Sequence, residues 1–338
     1  MSRMCDSTRS SWPMQSSRRF VVSGLIALVA LVPRLVIAEV SDGRDLLARM
    51  SIAMRSLDYQ GSFTYQHAGR VDTLRVFHAG GVRERERLVS LNGPRSELIR
   101  DGLNVTCIQA DGSAIVYTSH SGRGLLPLVP NTGSSTLGEH YDVTVIGSDR
   151  VAGYAADMID IIPRDRYRYG YRLWIDQGTR LLLRSIVTDS ERRPLEQFMF
   201  VSLEIGAAPN ETDLLPQQHE MLTTTAAPAT ELAVRGPPIW RTDKAPPGFS
   251  LVSARRPLRA PAGSEHLVYS DGLASVSIYV EPRGDGATGI DTMSGRGTLN
   301  VYTHIEGDWR ITVLGDVPSA TVGAIAQSVT RRVAAEVD

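Results

Sequence analysis

Apolar residues recur at helical spacing between positions 46 and 57, and the spacing then changes to two. The helical stripe consists of Leu46, Leu47, Met50, Ala53, Met54 and Leu57. Ser41 or Asp42 can cap this helix, because their side chains accept hydrogen bonds from its first backbone N–H groups. From position 59 onward apolar and polar residues alternate, so Phe63 and Tyr65 lie on one face of a strand. The pattern predicts a helix followed by a sheet.

Further strand candidates follow at intervals of roughly ten residues. Turn dipeptides separate them, at Gly80-Gly81, Asn92-Gly93, Asp101-Gly102 and Asp111-Gly112. Such dipeptides favour tight hairpins because they tolerate positive φ. Alternation resumes from Tyr141 to Ile205, and we therefore expect an antiparallel meander with one covering helix.

A second alternating region begins after Trp240 and ends in an apolar stripe at helical spacing. Pro318 stands at the first turn of that helix, and the stripe consists of Val322, Ile325, Ala326, Val329 and Val333. Between the two regions, residues 206–238 have the composition of a linker. The predicted fold class is α+β, with a larger curved antiparallel sheet and its covering helix at 39–205 and a smaller sheet plus helix at 239–338.

The first 38 residues have the layout of a secretory signal peptide. Arg18 and Arg19 precede an uncharged apolar run that begins at Phe20, and the small residue Ala38 fits a cleavage site. The run is shorter than the roughly 20 residues that span a bilayer. A buried core helix and an uncleaved anchor are the alternatives. We expect a mature chain that begins near Glu39 in an extracytoplasmic space.

The charge of the mature chain argues against one class of partner. The whole chain has 36 basic and 37 acidic residues, and the leader contains five of the arginines and one of the aspartates. The mature chain is therefore mildly acidic and does not attract phosphate backbones, which disfavours nucleic acid binding. Cys107 is the one cysteine outside the leader, and its apolar neighbours predict a buried small side chain rather than a nucleophile.

Motifs for catalysis or metal binding do not occur in the sequence. The seven histidines are scattered, without the spacing that places two ligands on one helix face. There is no nucleophile elbow, dinucleotide-binding turn or phosphate loop. We predict no metal, no cofactor and no enzyme activity, although an envelope hydrolase assembled from distant residues stays open.

Two stretches alternate arginine with another residue type. In residues 83–87 arginine alternates with glutamate, which predicts a solvated strand with cross-strand ion pairs. In residues 166–172 tyrosines occupy every second position, with Arg166, Arg168 and Arg172 between or beside them. A strand over 166–175 would therefore place the tyrosines on one face and the arginines on the other. An aromatic face that continues into aliphatic residues suits an apolar concavity, or simply a core, better than base stacking.

A curved sheet with an apolar face can enclose an acyl chain. The candidate cavity-lining residues are Phe63, Tyr65, Tyr167, Tyr169 and Tyr171. Residues 119–140 form a long loop with an apolar centre, which is unusual because loops are normally polar. Its leucines form a candidate lid and are Leu125, Leu126 and Leu128.

Several motifs resemble those of the MucB/RseB family, periplasmic negative regulators of the envelope-stress sigma factor. The motifs are Leu57–Gly61, Arg168–Asp176, Leu181–Ser185, Pro246–Phe249, Tyr269–Ser277 and Val313–Pro318. They follow the family order and cover nearly the whole mature chain. One departure is visible, because Thr179-Arg180 stands where Thr-Gly is expected in the hairpin after Asp176.

The resemblance implies an N-terminal half-barrel similar to the lipoprotein carriers LolA and LolB, a smaller C-terminal domain and a periplasmic location. It also implies binding to the periplasmic region of a transmembrane anti-sigma factor, which is thereby shielded from proteolysis. Lipopolysaccharide or mislocalised lipoprotein would occupy the half-barrel and weaken that complex. We expect Tyr279 and Tyr302 of the C-terminal sheet to contact the partner.

Two questions stay open at this point. The chain could form a homo-oligomer, on which the sequence gives no information. A lipid or lipoprotein carrier is the alternative function, although a pure carrier would have no need of residues 240–338.

Overall fold

The computed structural model describes residues 42–118, 124–126, 137–217, 223–225, 231–234, 236–257, 260–284 and 291–332. The predicted signal peptide, the lid residue Leu128 and the stripe residue Val333 lie outside these ranges. Among the described residues, no helix is long and apolar enough to cross a membrane.

The described chain begins with helix α1 (Gly43–Ser56), whose start is capped as predicted. The Asp42 carboxylate accepts a hydrogen bond from the backbone N–H of Arg44 at 3.1 Å. The predicted stripe is buried except for the half-buried Leu57, which caps the end of the helix, and Leu46, Leu47 and Met50 have almost no exposed surface. The helix follows from one apolar face and one capping carboxylate.

Two antiparallel meanders and one short helix follow α1. The first meander consists of β1 (Tyr59–His67), β2 (Arg70–Ala79), β3 (Arg85–Ser90), β4 (Glu97–Asp101), β5 (Asn104–Ile108) and β6 (Ser113–Thr118). Helix α2 (Leu137–His140) leads to the second meander, which consists of β7 (Tyr141–Val151), β8 (Tyr154–Pro163), β9 (Gly170–Asp176), β10 (Leu182–Thr188) and β11 (Pro194–Ile205).

The two meanders join into one large curved sheet because β1 pairs with β11, with Tyr59 opposite Ile205. A short strand β12 (Thr223–Thr225) runs parallel to β6 at one edge, and β7 forms the other edge of the twelve strands. We call the face that packs against α1 the inner face. Its core contains residues of α1 together with Phe63, Val76 and Phe200.

The opposite, outer face is partly covered by a 3-10 helix (Glu211–Leu214) that lies in the predicted linker. Leu214 packs there against Phe77 and Val89. The guanidinium of Arg85 donates two hydrogen bonds to the Glu211 carboxylate, at 2.5 and 2.7 Å. The first part of the predicted linker is thus packed against the large sheet.

The remaining strands form a smaller seven-stranded sheet in the order β13-β15-β16-β17-β20-β19-β18. In chain order the elements are β13 (Glu231–Ala233), β14 (Trp240–Thr242), β15 (Ser250–Pro257), β16 (Glu265–Ser270), β17 (Ser275–Pro282), β18 (Thr292–Arg296), β19 (Leu299–Glu306), β20 (Trp309–Gly315), α3 (Ser319–Ala326) and β21 (Val329–Arg331). A core that includes Ile278, Val313 and Val322 lies between this sheet and α3.

The predicted α+β architecture of a larger curved antiparallel sheet and a smaller sheet is confirmed. The predicted C-terminal helix is too long, because α3 ends at Ala326 and Val329 begins β21. Val329 is nevertheless buried, since β21 pairs with β14 and places it opposite Thr242. The apolar pattern therefore predicted correctly that Val329 is buried, but it predicted a helix at a position that forms a strand.

Candidate functional site

On the inner face of the large sheet the Phe63 side chain is fully buried, whereas Tyr65, two residues further along β1, is partly exposed. The Phe63 ring has no exposed surface and packs edge-on against Phe198 and Phe200, with ring centroids 5.0 and 6.0 Å away. It would reach a ligand only if this core opened, so its place in a cavity wall stays a prediction. Tyr65 is half-buried and stacks on His67 with ring centroids 4.4 Å apart.

The hydroxyl of Tyr65 has a buried acceptor. It donates to the carboxylate of Glu196 on β11 at 2.6 Å. Burial and this hydrogen bond raise the pKa of Tyr65 above its ordinary value, so the hydroxyl remains protonated and acts as a donor. Sequence reasoning missed Glu196 because charged side chains are normally exposed, although its spacing of two and four residues from Phe198 and Phe200 places it on their face of β11.

The tyrosines of 167–171 do not share one strand face. Strand β9 begins at Gly170, so the prediction of a strand from Arg166 is wrong for its first residues. The backbone carbonyl of Tyr167 accepts a hydrogen bond from Thr321 of α3 at 2.8 Å. The Tyr169 hydroxyl accepts one from Asn300 of β19 at 3.1 Å.

Tyr167 and Tyr169 therefore contact the smaller sheet and its helix. Tyr171 on β9 is half-buried and packs against the inner core. Of the five predicted cavity-lining residues, Tyr65 and Tyr171 are the two that combine the inner face with partial exposure. A ligand-binding role for any of the five stays a prediction.

Arg168 forms the centre of what we call the junction cluster, with Asp271 and Tyr141. The Arg168 side chain is fully buried and donates from Nε to Asp271 at 2.6 Å. It also contacts the Asp165 carboxylate and the backbone carbonyl of Pro247. The Tyr141 hydroxyl donates to the same Asp271 oxygen at 2.9 Å.

The junction cluster joins residues of the two sheets, and the chain around Asp271 extends this contact. Leu273 is 1% exposed and belongs to the inner core of the large sheet. The second Asp271 oxygen accepts the backbone N–H groups of Leu273 and Ala274, at 2.9 and 2.8 Å. One carboxylate thus fixes both Arg168 and the turn that carries Leu273.

The described part of the predicted lid, residues 124–126, lies against the inner face. Leu126 is 6% exposed and belongs to the inner core, and Leu125 packs on that core. The backbone N–H of Leu125 donates to the Glu86 carboxylate at 2.6 Å. This segment therefore occupies apolar space where a bound acyl chain would have to compete with it.

Below that segment lie four buried or nearly buried charged and polar side chains, which we call the loop cluster: His78, Glu84, Glu86 and Arg100. Arg100 contacts Glu84 and lies 3.4 Å from Glu86. Burial is the main cause that raises the pKa of Glu86 above its ordinary value. The predicted solvation of the strand at 83–87 is thus wrong for Glu86 and Arg87, which are 1% and 2% exposed, whereas the predicted cross-strand ion pairs are present, as Arg87–Glu97 and Arg100–Glu86.

The two predicted partner-contacting tyrosines lie on opposite faces of the smaller sheet. Tyr302 is opposite the buried Val313, on the face that α3 covers, and its hydroxyl donates to Asp291 at 2.8 Å. Tyr279 lies on the other face, where it stacks on His266 with ring centroids 4.1 Å apart. A single flat partner surface cannot include both rings.

A groove of about 260 Å³ lies at the ends of β8, β9 and β10, on the side of the large sheet where Asp160 and Arg172 pair. Asp160 accepts hydrogen bonds from Arg172 at 2.6 and 2.8 Å and from Arg192 at 2.6 Å. Arg172 and Arg192 thus share one buried carboxylate, whereas Arg164 of the same groove pairs with Asp142. Within the described residues, no group of three histidine, cysteine or carboxylate side chains is placed to hold a metal ion.

Comparisons with known proteins place this chain in a family. The MucB/RseB N-terminal domain family matches residues 42–220, and the MucB/RseB C-terminal domain family matches residues 235–330. Sigma factor AlgU regulatory protein MucB from Pseudomonas aeruginosa is 32% identical over 324 residues, which is 93% of this chain and 99% of MucB. Sigma-E factor regulatory protein RseB from Escherichia coli K12 is 28% identical and covers 84% of this chain and 89% of RseB.

The solved structures that match this chain include members of the same family. MucB in complex with MucA(peri) matches with a TM-score of 0.66 and 30% identity, over 87% of this chain and 100% of that chain. The Pseudomonas aeruginosa MucA/MucB complex matches with a TM-score of 0.66 and 31% identity, over 86% and 99%. The family motifs cover both sheets and the junction between them, and this chain belongs to the MucB/RseB family.

Proposed function

We propose that this protein binds the periplasmic region of a membrane-spanning anti-sigma factor and shields it from proteolysis. The support is family membership together with two solved complexes in which MucB, at 30–31% identity, is bound to MucA. Both complexes match the present chain across both sheets, so the whole architecture that binds MucA has a counterpart here. The proposal places the mature protein in the periplasm and gives it no catalytic role.

The second half of the proposal is that an acyl chain, from lipopolysaccharide or from a mislocalised lipoprotein, binds on the inner face and weakens the complex. The support is the half-open part of that face at Tyr65 and Tyr171 and the Leu125–Leu126 segment beside it. A ligand that prefers the free protein over the complex must weaken the complex by the same factor. The carrier function needs the inner face alone and gives no role to the buried junction with the smaller sheet.

Calorimetry on the mature chain tests the first half. Titration with the periplasmic segment of the anti-sigma factor from the same organism should give saturable binding at micromolar concentration or tighter. Absence of heat at tens of micromolar would contradict the regulator and leave the carrier.

A fluorescent fatty acid, 11-(dansylamino)undecanoic acid, tests the second half. Its emission should rise when it enters the inner face, and the same probe should lower the affinity measured by calorimetry. Binding of the probe without any change in partner affinity would remove the sensing role and keep the regulator.

A further inference from the structure

Glu196 connects the two sheets through its two carboxylate oxygens. The side chain is 4% exposed and lies on β11, next to the inner face. One oxygen accepts the Tyr65 hydroxyl at 2.6 Å, and the other accepts the backbone N–H of Thr298 at 2.7 Å. Tyr65 belongs to the large sheet, whereas Thr298 lies in the turn between β18 and β19 of the smaller sheet.

The β18–β19 turn is built closely around that carboxylate. Gly297 has φ of +64°, and a β-carbon at this position would collide with the Glu196 carboxylate. Glycine is therefore favoured for two reasons, its backbone conformation and the close approach of the Glu196 carboxylate. Thr298 is 3% exposed, and its hydroxyl donates to Asp316 at 3.1 Å.

Tyr65 is the end of this connection that a ligand can reach. Its ring is half-buried on the inner face, beyond the closed aromatic packing of Phe63. An acyl chain that packs against the ring would compete with the stacking of Tyr65 on His67. Rotation of the ring would carry its hydroxyl away from Glu196.

We propose that Glu196 is a positioning residue that couples occupancy of the inner face at Tyr65 to the conformation of the β18–β19 turn. This inference rests on the proposed function, because it takes an acyl chain on the inner face as the ligand. When the acyl chain displaces the Tyr65 hydroxyl, the buried Glu196 carboxylate loses one of its two hydrogen-bond donors. The carboxylate then turns toward a different donor, and the Thr298 N–H loses its acceptor. Strand β18 is an exposed edge strand and shifts with its turn.

Hydrogen–deuterium exchange of the mature chain tests the coupling, with 11-(dansylamino)undecanoic acid as the probe. The readout is exchange at the Thr298 amide, followed in peptides that span 297–300. In the wild type, saturation with the probe should accelerate exchange about tenfold, the effect expected when one hydrogen bond is lost. Fluorescence of the probe reports binding in the same samples.

Three variants separate the connection from general loosening. Tyr65→Phe removes the hydroxyl permanently, which is the loss that the probe is proposed to cause, so exchange at the Thr298 amide should already be fast and the bound probe should not accelerate it further. Glu196→Ala removes the acceptor of the Thr298 N–H altogether, so exchange should be fast without the probe. Tyr169→Phe is the matched control, because it removes a tyrosine hydroxyl that contacts Asn300 of the smaller sheet without contacting Glu196, and it should respond like the wild type.

The outcomes separate this inference from the proposed function. Probe binding with unchanged Thr298 exchange in the wild type overturns the coupling and leaves acyl binding intact. An equal response in Tyr65→Phe and the wild type overturns it as well. Failure of the wild type to bind the probe removes acyl binding and the coupling together. A response in the wild type and Tyr169→Phe that Tyr65→Phe lacks supports the coupling.

Discussion

The junction cluster and the loop cluster both bury charge, but the structure satisfies them to different degrees. In the junction cluster, Arg168 contacts two carboxylates and one backbone carbonyl, and Asp271 accepts four hydrogen bonds. In the loop cluster, Glu86 Oε1 and Arg100 Nε have no hydrogen-bond partner within the described residues. A buried polar atom without a partner costs about 1–3 kcal/mol.

This difference indicates different roles for the two clusters. The hydrogen bonds of the junction cluster are all made, so we expect this cluster to hold the two sheets together rigidly. The loop cluster holds the Leu125 backbone through a carboxylate that is itself incompletely satisfied. We infer that segment 124–126 separates from the inner face at a lower free-energy cost than the two sheets separate from each other.

The largest expected effect is that of Asp271→Ala. The substitution leaves Arg168 buried without its main partner and removes the acceptor of two backbone N–H groups. Breaking a buried ion pair from one side costs about 3–5 kcal/mol. Urea unfolding should show this loss, whereas Asp165→Ala, which removes the partly exposed carboxylate on the same arginine, should cost about 1 kcal/mol or less. Equal losses in the free energy of unfolding would mean that the buried Arg168–Asp271 pair stabilises the protein no more than the partly exposed Asp165 does.

Leu126→Ala should come next, with a loss of about 2–3 kcal/mol. Leu126 is buried in the inner core, and large-to-small core changes cost about 2–5 kcal/mol, less where the segment can relax. The variant should also bind the dansyl fatty acid more tightly, because the acyl chain fills the vacated space. Leu125→Ala, at a half-buried position, is the control and should cost less. If Leu126→Ala leaves stability unchanged, the segment does not form part of the core.

Tyr141→Phe tests the junction with a smaller change. It removes one hydroxyl from Asp271 and leaves the ring and the Arg168 ion pair in place. A hydrogen bond to a charged group contributes about 1.5–3 kcal/mol, and we expect the low end because Arg168 still satisfies the same oxygen. A loss above that of Asp271→Ala, measured by urea unfolding, would show that the Tyr141 hydroxyl contributes more to the junction than the Arg168–Asp271 ion pair does.

Glu86→Gln should give the smallest change, and its sign should depend on pH. Burial raises the pKa of Glu86, and the groups that face it are His78, Glu84, Arg100 and Tyr59. With a raised folded-state pKa, Glu86 contributes stability below its ordinary value of 4.5 and loses that contribution as pH rises through the folded-state pKa. Relative to the wild type, Glu86→Gln should therefore become more stable as pH increases across this window.

Glu84→Gln provides a control of opposite sign for that measurement. Burial opposes ionisation of Glu84, but hydrogen bonds from His78 and Arg100 outweigh it and lower the pKa of this carboxyl. Glu84 therefore contributes stability above its ordinary value of 4.5, and that contribution is lost as pH falls through the folded-state pKa. Urea unfolding should show slopes of opposite sign for the two variants, below pH 4.5 for Glu84→Gln and above pH 4.5 for Glu86→Gln. Parallel slopes would contradict the described loop cluster.

The sequence predicted what depends on local pattern. Helix α1, its Asp42 cap and the meander turns follow from spacing and from residues that tolerate positive φ. Arg180, which stands where the family pattern has glycine, adopts φ of +67°, so the resemblance correctly marked a special backbone position. Cys107 is half-buried, close to the predicted setting.

The sequence could not predict what depends on distant partners. Arg168 alternates with tyrosines and looks solvent-exposed, but its main partner Asp271 is 103 residues away. Glu86 and Arg87 look like a solvated strand until the loop segment and the 3-10 helix cover them. Charged side chains are normally exposed, so burial of these residues follows from tertiary contacts alone.

The most direct test of the whole account is a calorimetric titration of the anti-sigma factor segment into the mature protein, with and without saturating 11-(dansylamino)undecanoic acid. Coupling between two sites typically changes affinity by about 5–150-fold. We expect the acyl probe to weaken partner binding within that range in the wild type, and by less in Tyr65→Phe. An affinity that stays the same when the inner face is occupied would contradict the central claim.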